Sequence, residues 1–226
     1  MPPKTEVRSK QRNSKDLLAI ALAVCFCACG HAPAPPGAAS SPPGAAPSGS
    51  PRGLLVLPLK ASLDAARLHK YDQLQTNWCW AASAQMTIEY LKPQAKTEQC
   101  RIAGEELGPI GAPFNCCPLI ANCNVPKWPQ QVFHDRQITY AVNQGALTED
   151  ELKRQIVAGS PVMFSWNWTR GNAHIQVAVA YNVIDGESFI SVLDPLSLKT
   201  TIPYSEYDKS EDHTHSVDYY AFEVQP

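Results

Sequence analysis

The chain has 226 residues and a formal net charge of −2 at pH 7, with 19 Lys and Arg against 21 Asp and Glu. That length suits one ordinary domain plus something extra. The charge balance supplies no basic stripe and excludes a polyanion-binding role, nucleic acid included.

The first 29 residues read as an export signal. Lys4, Arg8, Lys10, Arg12 and Lys15 form a basic n-region, and Leu17 to Ala28 form an apolar run. That run is too short to span a bilayer comfortably and right for a secretory signal. Its end, FCAC at 26–29, resembles a bacterial lipobox, with small Ala28 before Cys29, although Phe26 stands where Leu is usual. On that reading Cys29 is the lipidated mature N-terminus and the membrane anchor. The alternative is a plain secretory signal cleaved among the small residues from Ala28 to Ala39. Residues 30–53, GHAPAPPGAASSPPGAAPSGSPRG, cannot bury apolar surface and read as a disordered, semi-extended linker. The expected organisation is a signal over 1–29, a linker over 30–53 and a folded domain over 54–226. The protein is expected to leave the cytoplasm of a bacterium, as an outer-membrane or cell-surface lipoprotein, or otherwise as a periplasmic or secreted protein.

Leu54 to Tyr71 is apolar at its start and reads as an entering strand or extended arm. TNWCWAASAQMTIEYLKP is the strongest helix. Thr76 or Asn77 can cap it, Ala81, Ala82, Ala84, Met86 and Leu91 favour it, and Pro93 stops it. Trp80, Ala84, Ile88 and Leu91 fall on one face at helical spacing. The stretch CRIAGEELGPIGAPFNCCPLIANCNVP is rich in Gly, Pro and Asn and reads as a loop that needs staples. WPQQVFHDR is a short helix with Pro129 at its first position. LTEDELKRQIVAGSP is a longer one, with Thr148 and Glu151 as a capping box and Gly159 and Pro161 at its end. Strands follow: PVMFSW, then the nearly alternating AHIQVAVAYNVI, turned by Asp185-Gly186 into ESFISVLDPL. Helices first and antiparallel strands afterward predict an α+β domain of two parts.

Export places the cysteines in an oxidising compartment. Beyond residue 29 there remain Cys79, Cys100, Cys116, Cys117 and Cys123, an odd number. Cys116 and Cys117 are adjacent and would be strained if joined to each other, so each pairs with Cys100 or Cys123. A four-thiol zinc site is the competing reading, weakened by the missing C-x-x-C knuckle and by oxidation. By elimination Cys79 is the odd cysteine and a candidate reactive thiol. At a helix start its thiolate is favoured by exposed amides and the helix dipole.

A cysteine nucleophile needs a base and an orienter. His31 lies in the linker, His69 and His134 in loop or surface segments, and His213 and His215 in a polar, solvated tail. His174 instead opens the alternating strand, and across the Asp185-Gly186 turn its partner falls in the mid-190s, where Asp194 stands before Pro195. Gln73, six residues before Cys79, can donate to an oxyanion alongside the Cys79 backbone N–H. Each residue also has a plain structural reading. Cys79 can be a small hydrophobe, His174 a core or capping group, Asp194 a turn former and Gln73 a surface residue. Trp166 and Trp168 either shield the His–Asp pair or simply fill the core.

Gln73, Cys79, Trp80, Ala81 and Ser83, followed downstream by NAHIQVAVAYNV and VLDP, resemble a papain-like cysteine peptidase. The closer likeness is to the bacterial branch of AvrRpt2-type effector peptidases and, more distantly, the C39-like bacteriocin-leader peptidases. It spans about Tyr71 to Leu196. The resemblance implies a helical part carrying the nucleophile, packed on an antiparallel sheet part carrying His and Asp. It implies the triad Cys79, His174 and Asp194, with Gln73 in the oxyanion hole. Thr76 stands where plant and lysosomal relatives carry a disulfide cysteine, and Asp194 where they carry Asn.

The expectation is a monomeric peptidase that hydrolyses peptide bonds in a peptide or protein through a thioester, with no cofactor and no metal. Three rivals stay open: acyl transfer or cross-linking on the same triad, cleavage of cell-wall peptides, and a non-catalytic surface-anchored binding module.

Overall fold

The computed structural model describes residues 57–226 apart from 119, 198 and 199. The expected signal with Cys29 and the linker over 30–53 lie outside the described residues. In chain order the elements are β1 (Lys60–Ser62), α1 (Cys79–Leu91), α2 (Gln99–Leu107), a 3-10 turn (Ile120–Cys123), α3 (Gln130–Asp135), β2 (Ile138–Gln144), α4 (Glu149–Val157), β3 (Val162–Trp168), β4 (Ala173–Ile184), β5 (Glu187–Leu193), β6 (Thr201–Pro203), α5 (Tyr204–Asp208) and β7 (His213–Val224). The class is α+β. Among the described residues no helix is long and apolar enough to cross a membrane.

Helix α1 is buried along all but its last residue, so it is a core helix rather than one with a single apolar stripe. Its small residues Ala81, Ala82, Ser83 and Ala84 let neighbours approach closely. The one acid in it, Glu89, is 2 % exposed and fully engaged. Tyr71 Oη and Lys96 Nζ donate to its Oε2, and Gln85 Nε2 and the Thr97 amide to its Oε1. Burial works to raise its carboxyl, but these donors outweigh it and hold Glu89 below the usual range.

The Gly- and Pro-rich cysteine stretch is not loop from its start, because α2 occupies its first residues. The loop proper begins at Gly108 and is stapled twice, by Cys100–Cys117 and Cys116–Cys123. All four sulfurs of the competing zinc reading are therefore disulfide-bonded. At α4 the expected cap forms: Thr148 Oγ1 accepts from the Glu151 amide, and Gly159 leaves the helix at φ +79°.

The seven strands make one antiparallel sheet in the order β2-β7-β3-β4-β5-β6, with β1 beside the second half of β4. The β4–β5 hairpin turns at Asp185 and Gly186, both at positive φ (52° and 82°), as a two-residue turn between right-twisted strands requires. A bulge at Val179 then offsets the register, pairing Val177 with Leu193. The polar tail proves to be part of this sheet. His213 and His215 lie in β7, a strand paired on both sides, and their side chains are 0 % and 1 % exposed.

Candidate active site

Cys79 is the first residue of α1, and Trp78 is its N-cap. No side chain caps the helix. Thr76 and Asn77, the expected caps, are instead hydrogen-bonded to Asn124. An uncapped start leaves first-turn amides for an anion in front of Cys79. The tryptophans on either side are fully buried, and each gives its indole N–H to a main-chain carbonyl: Trp78 to Cys123 O at 2.8 Å, Trp80 to Val125 O at 3.0 Å. Cys79 itself is buried, and here the structure departs from the sequence reading. Its sulfur is not left over as a thiol but disulfide-bonded. Any nucleophilic chemistry belongs to the reduced form.

One turn along α1, Ser83 Oγ donates to Ile175 O at 3.0 Å. Residues four apart share a helix face about 6 Å along its axis. This bond therefore joins the face that carries Cys79 to the backbone beside His174. His174 and Asp194 are both buried, and His174 Nε2 lies 2.7 Å from Asp194 Oδ1. The same oxygen accepts the Leu196 amide at 2.8 Å. With Nε2 committed to the carboxylate, Nδ1 is the ring nitrogen left for a substrate or a sulfur. Trp168 stacks beside the imidazole at 6.4 Å between centroids, as cover for the pair.

The loop before α1 is tied to the loop after β5. Gln73 N donates to Pro195 O at 3.0 Å, and Ser197 Oγ donates to Asp72 Oδ1 at 2.8 Å. Hydrogen bonds from Lys70 and Ser197 hold the Asp72 carboxyl below its usual range. Gln73 lies in this tie, but its Nε2 gives both hydrogens to main-chain carbonyls, of Gln75 at 2.8 Å and Thr76 at 2.9 Å. The structure thus brings Gln73 to the junction without aiming its amide at an open position.

A family model described as Peptidase_C39 like family matches residues 66–225. The chain belongs to that family. Its cysteine-type peptidase class follows from the membership, and the matched residues include Gln73, Cys79, His174 and Asp194. Two solved structures are similar to this Peptidase_C39 like chain. Xylellain, a cysteine protease from Xylella fastidiosa, shares 13% identity over 76% of this chain and 88% of its own, with a TM-score of 0.47. Procathepsin B S9 from Trypanosoma congolense shares 9% identity over 73% of this chain and 77% of its own, with a TM-score of 0.46. No curated protein sequence matches the chain.

Sequence reasoning missed the partners of the two tryptophans. In the sequence Cys123 offers only a disulfide candidate, and nothing in the letters of Asn124 or Val125 marks them as neighbours of Cys79.

Proposed function

We propose that this Peptidase_C39 like protein is an exported enzyme that hydrolyses peptide bonds through Cys79, His174 and Asp194. The observation that carries the reading is the buried His174–Asp194 pair at 2.7 Å, with His174 on the strand that Ser83 binds one turn from Cys79. The Cys79 thiolate attacks a peptide carbonyl. As the C–N bond breaks, a thioester forms and His174 gives its proton to the leaving amine. Water, losing a proton to His174, then hydrolyses the thioester and restores the thiol. Asp194 fixes the imidazole tautomer and supports the imidazolium. The Cys79 amide holds the oxyanion, joined by Gln73 once it gives up one of its two carbonyl partners. The two disulfides of the cysteine loop suit an oxidising compartment, in keeping with export.

The test is turnover of a mixed peptide library by the protein, with just enough reductant to free Cys79. Cys79→Ala and His174→Ala are expected to fall to background. Full turnover by Cys79→Ala would overturn the mechanism. Transfer of the acyl group to an added amine in place of water would make the enzyme an acyltransferase.

A further inference from the structure

The residues leading into α1 are held from one side by three consecutive residues of the stapled loop. Asn77 N donates to Asn124 Oδ1 at 2.9 Å, and Asn77 Nδ2 to Asn124 O at 3.0 Å. Asn124 Nδ2 donates to Thr76 Oγ1 at 2.8 Å. The indoles of Trp78 and Trp80 grip Cys123 O and Val125 O, on either side of Asn124. Five hydrogen bonds thus join 76–80 to 123–125, and Cys79 sits between the two tryptophans. The gripping segment is itself anchored: Cys123 is bonded to Cys116, and the neighbouring Cys117 to Cys100 on α2. Without those bonds a long Gly- and Pro-rich connection would have to be ordered by weak contacts alone, and Ile110 and Phe114 in it are exposed.

We propose that residues 123–125 are a positioning clamp for the nucleophile, with Asn124 its central positioning residue. The proposal rests on Cys79 being the nucleophile. A helix start with no cap of its own has nothing local to fix the direction of its first side chain. Ser83 fixes α1 against the sheet, and the clamp fixes it on the loop side. Small errors matter, since misplacing a reacting atom by about 1 Å costs on the order of 100-fold in rate. The clamp also holds the uncapped amides that favour the thiolate, so loosening it weakens thiolate stabilisation as well as aim.

The test uses the full chain, with Cys79 reduced and peptide mapping confirming that both other disulfides are intact. Two quantities are measured: kcat and KM on a peptide substrate, and the rate of Cys79 alkylation against pH. Asn124→Ala removes the side-chain acceptor of Asn77 N–H and the donor to Thr76. It is expected to lower kcat about tenfold to a hundredfold with KM nearly unchanged. It should also move the alkylation midpoint up toward the ordinary thiol range near 8.5, on the order of a free thiol. Gln131→Ala is the control. It breaks bonds from Gln131 Nε2 to Glu105 O and Gly108 O (2.8 and 3.4 Å) in the same helical layer. It should lower the melting temperature without changing either readout. Thr76→Val, at an exposed position, removes one clamp bond and should slow alkylation by a smaller factor, which keeps the test open if Asn124→Ala does not fold. Wild-type alkylation and kcat in both Asn124→Ala and Thr76→Val, or an equal loss in Gln131→Ala, would overturn the clamp. The alkylation readout does not need turnover, so a clamp that fails and a peptidase reading that fails give different results.

Discussion

Asp194 Oδ1 accepts from both His174 Nε2 and the Leu196 amide, and that shared oxygen makes a specific prediction. In Asp194→Asn the Leu196 N–H still demands an acceptor, so the amide turns its oxygen, not its NH2 group, toward the imidazole. The Nε2–H tautomer is kept and only the charge supporting the imidazolium is lost. Asp194→Asn should therefore retain turnover within about tenfold of wild type, whereas Asp194→Ala loses about 100-fold or more. Steady-state kinetics of the two variants decide it; equal losses would mean that the Leu196 bond does not orient the side chain. The His–Asp pair was legible because a two-residue turn sets a hairpin's register, and the bulge at Val179 shifts that register by only one residue. The bonding of Gln73 was not legible. Spacing places a side chain along the chain but does not say which carbonyls fold back beneath it.

Where α2 meets α3, Glu106 Oε2 accepts the Val132 amide at 3.1 Å from a buried position. Burial pushes its carboxyl up to about 7, although the Val132 amide and the charge of Lys127 pull the other way. Between the ordinary carboxylate range and about 7 the unfolded chain has lost this proton and the folded chain still holds it. The folded state binds more protons, so stability falls as pH rises through that window and the loss is complete above it. Glu106→Gln keeps an oxygen for the Val132 amide and has nothing to ionise. It should flatten the urea midpoint between pH 4.5 and 7, on the order of the unperturbed and shifted values, and gain about 1–3 kcal/mol at pH 8. An unchanged slope would show that Glu106 ionises normally. Elements with strong local signals, such as α1 with its alanines, α4 with its Thr148 cap and the Asp185-Gly186 hairpin, could be read from the sequence. Helix α2 was hidden because the glycines and prolines that follow it colour the whole stretch as loop.

Across the whole molecule, the polar tail is what joins β2 to the rest of the sheet. β7 lies between β2 and β3, and a bulge at its Ser216, opposite the Ser165–Trp166 step, puts His215 and Asp218 on one face although they are three apart. Strict alternation would have put them on opposite faces, and nothing in a run of polar letters marks the extra residue that brings them together. Asp218 gathers three donors in the core: Tyr207 Oη at 2.5 Å, Leu147 N at 2.6 Å and His215 Nε2 at 3.0 Å. His215 Nδ1 in turn meets Tyr207 O at 2.8 Å, and His213 stacks on Trp166 at 3.7 Å. Burial and the Asp218 charge keep the Tyr207 phenol well above its ordinary range, hence protonated and donating. The network binds β7 to α5 and to the start of α4, and the two substitutions that break it are not equivalent. Tyr207→Phe removes one donor and leaves the carboxylate two, so it should cost about 1–2 kcal/mol. Asp218→Ala strands a hydroxyl, an amide and an imidazole together, so about 3–5 kcal/mol should be lost. Denaturant midpoints of the two variants measure the difference. Similar, small losses in both would mean that the carboxylate's partners find other acceptors, and that β7 is held by its strand pairing alone.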